Sequence, residues 1–391
     1  MADTDPKTTP APERRDVRDL PHYKLATLAG EQTEDRIDEE LHAKNRALWN
    51  QWATQDLTDE ERQAYIDDGT LLAEDVQDRD PDKLQKAARQ RGLNDIPSPK
   101  APIDFSNTDW PDLPTSFNGF IFPAVATFTR ANLTNIVTFD DATFTEIAFF
   151  LKTNFRSLAL FKKTKFKDFA PFGQARFKSV ADFTDLVIEK HLDFDGVQCD
   201  SHTYFTNAIF NVSVPEFFET RLHEATFFHG VIWPAPARDN PVAAQRQADA
   251  YSCLKRKMAE LNRHEAELDF FARELSALSH CQPRSRAWAI RLYGWVSDYG
   301  RSVVRPLICG VLVWYFGALG YLLVVEPTAK ATVGFSAASM ASVLGARREI
   351  FPDTMEHASL PVALLSTGQG IIGAGLLFLI GLALRNRFRI R

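Results

Sequence analysis

The chain has 391 residues, of which 45% are hydrophobic, and it carries a formal net charge of −6 at pH 7. This length accommodates two or three domains, and a negative net charge does not favour binding to nucleic acid. The four cysteines are scattered without paired spacing, which excludes a disulfide framework and fits a reducing compartment. The first 20 residues lack an apolar stretch, so we expect no cleaved signal peptide.

The N-terminal part is predicted to pass from disorder to helix. Residues 1–30 are charged and proline-bearing with little to bury, and we expect them to be disordered. Residues 31–95 are predicted to form short helices, one opened by a capping box of Thr58 and Glu61 and another by Asp80. These helices either cap the first repeat of the domain that follows or serve as a partner-binding arm.

Between residues 117 and 233 the apolar side chains recur at a fixed spacing. Phenylalanine occurs every 11 residues from Phe117 to Phe205, and a second apolar series follows five residues behind. The resulting spacing of 5, 6, 5, 6 fits neither an α-helix nor an ordinary β-strand. Such a fixed period predicts a solenoid, which follows a proline-rich connector at 96–116 and contains one inserted residue near Pro215.

Small residues often stand two positions before the apolar one, as Ala126 does before Phe128. This pattern resembles the pentapeptide-repeat family in its phenylalanine-rich form. The resemblance implies a right-handed quadrilateral β-helix, in which four short sides form one coil of about 22 residues. Residues one coil apart should then stack in inward columns over about five coils. The predicted core consists of Phe128, Leu133, Phe139, Phe144, Phe150, Phe155, Phe161, Phe166, Phe172, Phe177, Phe183, Phe194, Phe205 and Phe210.

Charge is unevenly distributed over the predicted exterior of the solenoid. Basic residues concentrate in the middle coils and acidic residues follow in the later ones, with Arg156, Lys178 and Asp200 expected in line on one face. A basic belt indicates binding to anionic lipid headgroups or to an acidic partner, or else a solvated exterior that prevents strand aggregation. The candidate belt consists of Lys152, Arg156, Lys162, Lys163, Lys165, Lys167 and Lys178.

The C-terminal part is predicted to be helical and to enter a membrane. Two uncharged runs, at 307–325 and 360–384, are long enough to cross the hydrocarbon layer. Gly370 and Ala374 provide a small-residue face for helix packing. The membrane-flanking residues are Arg301, Arg305, Arg385 and Arg387. The remaining segments are an amphipathic helical hairpin (242–280), a basic aromatic segment (284–306), an extracytoplasmic loop able to re-enter the membrane (326–359) and a basic tail (385–391).

Parts of this region resemble a set of bacterial pentapeptide-repeat proteins that often end like two-transmembrane ion channels, with a pore helix between the spans. The resemblance rests on Ala250-Tyr251, Glu274-Leu275, Arg291-Leu292-Tyr293 and Asp298-Tyr299-Gly300. It implies a channel of four subunits. The residues after the candidate pore helix, which begin Gly345-Ala346-Arg347, depart from the potassium-filter pattern, so we do not expect selective potassium conduction.

We predict no catalytic, cofactor-binding or metal-binding residues and no enzymatic activity. The sequence has neither a glycine-rich phosphate loop nor a two-histidine zinc motif. Cys199 and His202 have a metal-like spacing, but Cys199 falls in an inward column and is predicted to be a buried thiol.

These patterns predict a bacterial inner-membrane protein with two spans, whose termini and solenoid lie in the cytoplasm. We expect the solenoid to be a scaffold or sensor for an unknown cytoplasmic protein. We also expect the chain to form a homo-oligomer in the lipid bilayer and not to bind nucleic acid. The alternatives are an oligomeric channel gated by its cytoplasmic part and a mimic of DNA, although the basic middle coils speak against such a mimic.

Overall fold

The chain divides into two units, Met1–Ala235 and Pro236–Arg391. The first unit is a parallel β-solenoid of about six turns with short helices preceding it, and the second is helical. The computed structural model describes residues 13–77, 80–324, 329–342, 349–351 and 359–388.

The solenoid is built from two-residue strands, each paired in parallel with the strands one coil away. Sheet 1 contains β1 (Arg15–Asp16), β3 (Thr108–Asp109), β7 (Asn132–Leu133), β11 (Asn154–Phe155), β15 (Arg176–Phe177) and β19 (Gln198–Cys199). Sheet 2 contains β4 (Thr115–Ser116), β8 (Val137–Thr138), β12 (Ala159–Leu160), β16 (Ala181–Asp182), β20 (Thr203–Tyr204) and β22 (Thr226–Phe227). Sheet 3 contains β5 (Ile121–Phe122), β9 (Thr143–Phe144), β13 (Lys165–Phe166), β17 (Val187–Ile188) and β21 (Ile209–Phe210). Two shorter sheets contain β2 (Ile103–Asp104), β6 (Ala126–Thr127) and β10 (Ala148–Phe149), and β14 (Ala170–Pro171) and β18 (Leu192–Asp193).

The strand register follows the sequence period. In the middle coils a residue pairs with the one 22 positions later, as Asn132 does with Asn154. Near the C-terminal end of the solenoid the offset is 23, since Gln198 pairs with Arg221. This change confirms the predicted inserted residue. The offset is also 23 in the first coil, where Asp109 pairs with Asn132.

The solenoid begins earlier than the sequence pattern indicated. The segment 96–116, predicted to be a connector, contains β2, β3 and β4 and is therefore in part the first coil. Phe105 stacks on Phe128 with ring centroids 5.0 Å apart, so it extends that column by one coil. The prediction of a connector at 96–116 was wrong because the extra residue of the first coil breaks the 22-residue period by which the other coils were recognised.

The inward side chains form stacked aromatic columns. The rings of Phe128 and Phe150 lie 4.9 Å apart and 4° from parallel, and Phe172 continues the column at 4.5 Å from Phe150. Rings of neighbouring columns meet edge to face, as Phe139 and Phe150 do at 5.7 Å and 83°. Both geometries suit the aromatic quadrupole. Every residue of the predicted core is buried.

The chain turns a left-handed corner every 11 residues in the middle coils. Lys152, Lys163 and Gln174 have φ angles of 57°, 54° and 59°, and Asp185 continues the series. The ladder of backbone hydrogen bonds passes through these corners, since the N–H of Lys152 donates to the Gly173 carbonyl at 2.9 Å. Coil-to-coil pairing therefore holds residues other than glycine in a backbone region that they rarely adopt.

The helices of the first unit are α1 (Pro21–Ala26), α2 (Glu39–Ala53), α3 (Asp59–Asp67), α4 (Ala73–Gln77) and α5 (Pro81–Gln90). The predicted capping box of Thr58 and Glu61 at α3 and the N-cap Asp80 at α5 are both confirmed. The prediction of disorder over 1–30 is wrong for 13–30, because β1 pairs with β3 and α1 packs through buried side chains. The remainder of that prediction, residues 1–12, lies outside the described residues.

The second unit contains α6 (Pro241–Glu260), α7 (His264–Cys281), α8 (Arg284–Ser297), α9 (Val304–Val324), α10 (Ala329–Met340) and α11 (Leu360–Phe388). Helices α6 and α7 are antiparallel, since Cys281 at the end of α7 reaches Gln245 near the start of α6. They correspond to the predicted hairpin. The two apolar helices are longer than the uncharged runs, because α9 begins at Val304 and α11 continues through Arg387.

Candidate functional site

Helix α2 covers β5, which is the edge strand at the N-terminal end of sheet 3. The buried side chain of Asn50 accepts a hydrogen bond from the Ile121 N–H at 3.0 Å and donates to the Gly119 carbonyl at 3.0 Å. Trp49 Nε1 donates to the Ile121 carbonyl at 2.7 Å. Side chains of α2 thus satisfy backbone groups where a preceding strand is missing. The N-terminal helices act as a cap, which is one of their two predicted roles.

Two lysines of the predicted belt hold the N-terminal segment against sheet 3. Lys165 Nζ donates to the Asp68 carbonyl at 2.9 Å and to Thr70 Oγ1 at 3.2 Å. Lys167 Nζ lies 4.3 Å above the Tyr65 ring. Burial alone would raise the pKa of Asp68, but hydrogen bonds from Thr70 and the two ammonium groups lower this pKa overall. These two lysines therefore have partners within the chain.

The structure does not bring the predicted belt together on one surface. Arg156 and Lys178 follow β11 and β15 of sheet 1, whereas Lys162 follows β12 of sheet 2, and Lys165 lies in β13 of sheet 3 with Lys167 beyond it. Consecutive strands of one coil belong to different sheets, so residues that are neighbours in sequence face different directions. Lys152 and Lys163 occupy left-handed corners.

Two histidines are buried in the N-terminal cap. Burial lowers the pKa of both His22 and His42 to about 4, so both are neutral at pH 7. His42 Nε2 lies 3.0 Å from the Asn118 carbonyl, and it donates a hydrogen bond to this carbonyl in the tautomer that is protonated on Nε2. His22 packs edge-on against Trp52 with ring centroids 6.0 Å apart. Their surroundings are those of structural side chains.

Asp195 carries the most perturbed carboxyl group of the later coils. Burial, together with the negative charges of Asp193 and Glu216, raises the pKa of Asp195 to about 6. Its carboxylate accepts a hydrogen bond from the Phe218 N–H at 2.8 Å. Asp195 thus supports the backbone of the adjacent coil, whereas Asp193 Oδ1 accepts a hydrogen bond from the Asp195 N–H at 2.8 Å within its own coil.

The thiol of Cys199 is inert in this fold. Cys199 pairs with Phe177 in sheet 1 and is 3% exposed, as the column pattern predicted. Burial raises the pKa of this thiol to about 11, which disfavours the thiolate. Among the described residues no group of three His, Cys, Asp or Glu side chains could hold a metal ion.

Helices α9 and α11 form an antiparallel pair. At one end Asn386 Nδ2 donates to the Gly300 carbonyl at 3.2 Å. Toward the other end, a methyl group added to Gly320 would lie 3.1 Å from Leu365. The arginine-bearing ends of the two helices therefore lie together. Both helices are long and apolar enough to cross a membrane, and only 22% and 28% of their most apolar segments are buried within the chain.

Helix α10 turns back between the two apolar helices. Its end lies deep in the pair, since a methyl group on Gly310 would lie 3.7 Å from Met340, and one on Gly373 would overlap the Met340 carbonyl. Nearer its start, Trp314 Nε1 donates to the Val333 carbonyl at 3.2 Å. Helix α10 thus runs antiparallel to α9, in the segment predicted to be able to re-enter the membrane.

A buried polar cluster joins the three helices. Gln369 Nε2 of α11 donates to Ser336 Oγ of α10 at 2.6 Å and to the Val313 carbonyl of α9 at 3.2 Å. The Tyr321 hydroxyl donates to Gln369 Oε1 at 3.0 Å. Hydrogen bonds between apolar helices of this kind fix their relative positions.

The four predicted membrane-flanking arginines fall into two groups. Arg301 forms ion pairs with Asp269 at 2.6 Å and with Asp298 at 3.1 Å, and Arg305 lies 3.5 Å from Asp298. Arg385 and Arg387 are exposed near the end of α11. The first group orders the turn before α9, while the second remains exposed at the same end of the helix pair.

Comparison of the chain with protein-family models, with curated proteins and with solved structures finds no match. The class of protein is therefore defined by the structure itself. The chain is a β-solenoid repeat protein with two helices that have the length and composition of membrane spans.

Proposed function

We propose that the chain is a membrane-anchored pentapeptide-repeat protein whose solenoid is a right-handed quadrilateral β-helix. The quadrilateral form is supported by the order of the strands, because one coil contains four strands, β11 to β14, before β15 pairs with β11. The alternation of inward residues at five and six positions supports membership of the same family.

The low burial of α9 and α11 is the observation that carries membrane anchoring. Leu307, Val311 and Leu323 of α9 are 49%, 58% and 81% exposed, and Ile371 and Phe378 of α11 are 69% and 70% exposed. Apolar surface of this extent is unfavourable in water and favourable in hydrocarbon. The adjacent basic ends support an orientation with both termini and the solenoid in the cytoplasm of a bacterium.

Carbonate extraction tests the anchor. We expect the full chain to remain in the membrane pellet, and recovery in the supernatant would overturn the proposal. For orientation, a C-terminal tag should resist protease added to intact spheroplasts and be cleaved in inside-out vesicles. The reverse pattern would place the solenoid outside.

The solenoid is proposed to be a scaffold or sensor surface that recognises a cytoplasmic protein. This role fits a regular surface built from stacked coils. Crosslinking in native membranes should recover one specific partner with the full chain. A matched chain lacking 103–233 should lose it, and equal recovery by both chains would contradict the scaffold role.

A second candidate function is an oligomeric channel, and the course of α10 favours it. The end of α10 lies against Gly310 of α9 and Gly373 of α11, so an anchored chain would hold it within the hydrocarbon layer, where a chain that leaves a helix is tolerated only against protein or a water-filled cavity. A homo-oligomer would provide protein contacts from neighbouring subunits and a water-filled cavity between them. Purified protein in planar bilayers should conduct, and Gly373→Leu should reduce the current because it displaces α10, whereas Gly375→Leu should not. A silent bilayer with folded, oligomeric protein would exclude this candidate.

A further inference from the structure

The outer surface of sheet 1 carries an uninterrupted set of cations. Three successive coils contribute the segments 129–135, 151–157 and 173–179, none of which contains an acidic residue. The strand register places Asn154 beside Asn132 and Arg176, so these segments stack directly on one another. We call this surface the basic face, and its exposed members are Arg130, Lys152, Arg156, Arg176 and Lys178.

Neutral partners orient the two central arginines of the basic face. Arg156 Nε donates to Asn132 Oδ1 at 2.8 Å, and Arg176 donates to Gln198 Oε1 at 2.6 and 3.0 Å. An amide oxygen fixes the position of a guanidinium group without neutralising its charge. The face is therefore rigid and retains its full positive charge.

The five cations have no carboxylate partner among the described residues, unlike several other lysines of the solenoid. Lys162 pairs with Asp182 at 3.3 Å, and Lys190 pairs with Asp168 at 2.5 Å. On the basic face, by contrast, like charges recur on coils about 4.8 Å apart, which is unfavourable within the isolated chain. An external anion would relieve this repulsion.

We propose that the basic face binds the headgroups of anionic phospholipids, an inference that rests on the proposed membrane anchoring. The solenoid is covalently continuous with α9, so an anchored chain holds the face at a high effective concentration near lipid. A parallel sheet with fixed guanidinium groups on successive coils suits a layer of phosphates, which arginine binds through paired donors. Acidic residues bound the face, with Asp109 in the coil before it and Asp200 in the coil after it.

The test uses the full chain in vesicles of phosphatidylcholine alone or with about one third phosphatidylglycerol, and measures acylation of individual lysines by a water-soluble ester. Lys152 and Lys178 should react about fivefold more slowly in the anionic vesicles, and 0.5 M salt should abolish roughly all of this protection. Lys83 and Lys86 of α5 are exposed internal standards whose rates should not change.

Two double variants distinguish an effect of the basic face from an effect of net charge. Arg156→Gln with Arg176→Gln should abolish most of the protection of Lys152 and Lys178, whereas the matched pair Lys83→Gln with Lys86→Gln should leave it unchanged. Unaltered circular dichroism and Lys165 reactivity would show that the solenoid is intact. Equal lysine reactivity in both vesicle types overturns the proposal.

Two further outcomes distinguish this proposal from its alternatives. Protection by added duplex DNA in neutral vesicles, without protection by anionic lipid, would assign the face to nucleic acid and overturn the lipid proposal. Chains that do not float with vesicles of either type would show that the anchor itself has failed, which is a separate result from loss of lysine protection.

Discussion

The left-handed corners are the most demanding single residues of the solenoid. Lys163 has a φ angle of 54° and its backbone N–H donates to the Thr184 carbonyl at 2.9 Å. A long unbranched side chain tolerates this conformation better than a β-branched one, whose second γ atom clashes with the backbone. The corner therefore selects against valine and isoleucine at every eleventh position.

Lys163→Val should lower the free energy of unfolding of the solenoid by roughly 1–2 kcal/mol, because valine is strained at positive φ. Lys178→Val is the matched control, since it removes the same charge from an exposed position beside β15 that lies outside the left-handed series. Denaturant titration followed by circular dichroism measures both. Equal destabilisation by the two variants would contradict the corner argument.

The carboxyl group of Asp195 should make the later coils more stable in acid. Because its pKa is raised from 3.8 to about 6, the folded state binds the extra proton between these values, and stability falls as the pH rises through this window. Asp195→Asn keeps an acceptor for the Phe218 N–H and should stabilise the protein by roughly 1 kcal/mol at pH 7, after allowance for solvent screening.

Melting temperatures of the wild type and Asp195→Asn, measured from pH 3.5 to 7.5, check this prediction. The advantage of the variant should disappear below about pH 4, where both side chains are neutral. Asp200→Asn, at an exposed position of the same coil, is the control for removal of one negative charge. A difference that is constant across the range would refute the assignment.

At the scale of elements, α2 takes the place of a missing strand. Asn50 is fully buried and connects Ile121 and Gly119 of the first coil with Asp75 beneath it. An isolated parallel coil would expose these backbone groups to water or to other chains. The cap is therefore part of the solenoid and not an appended domain.

Asn50→Leu should destabilise this end by roughly 3 kcal/mol, because the apolar side chain leaves several buried polar groups without partners. Gln51→Leu, which removes one longer hydrogen bond to the Asp75 carbonyl, should cost less than about 1 kcal/mol. Hydrogen exchange should accelerate at 117–123 in Asn50→Leu while 181–205 stays protected, since repeats interact with their nearest neighbours. Uniform acceleration along the solenoid would contradict the capping role.

The packing of α10 depends on glycines of α11, and Gly373 makes the closest approach to its backbone. A side chain at Gly373 would overlap the Met340 carbonyl, whereas Gly375 has no atom within 4 Å of the position of an added methyl group. Gly373→Leu should therefore release α10, and Gly375→Leu should not. Hydrogen exchange of 329–340 in detergent or nanodiscs reports the release, and equal protection in both variants would refute it.

At the scale of the whole molecule, the solenoid is a one-dimensional array whose unit is the coil. The pairing of Ala159 with Ala181 and of Val187 with Ile209 shows that 22 residues return the chain to the same sheet. Stability in such an array is the sum of coil contributions and of contacts between neighbouring coils. The fold should tolerate a change in the number of coils, but not a one-residue shift of the inward positions.

Duplication of 139–160 should therefore yield a folded protein with one more coil and equal or higher stability. The same duplication with its last residue removed should fold poorly, because a one-residue shift turns inward side chains outward. Circular dichroism and melting temperature distinguish the two chains. Equal stability would show that the columns do not govern the fold.

The sequence determined the solenoid itself, because its fixed period places an apolar residue inward at each side, and stacking the coils buries all of them. The inserted residue near Pro215, the buried thiol of Cys199 and the helical hairpin were equally readable from local spacing. The same local patterns located the two apolar helices, since length and absence of charge require no knowledge of the rest of the chain.

Only the tertiary structure decided which distant residues meet. The bond between Asn50 and Ile121 joins residues 71 positions apart, and no spacing rule relates a helix side chain to a particular strand edge. In the same way, the basic residues between 152 and 178 form a cluster in sequence, but the turning of the chain distributes them over three sheets. The basic face on sheet 1 keeps only Lys152, Arg156 and Lys178 of the predicted belt and adds Arg130 and Arg176. Periodicity fixes what points inward, whereas the path of the backbone fixes what lies side by side on the outside.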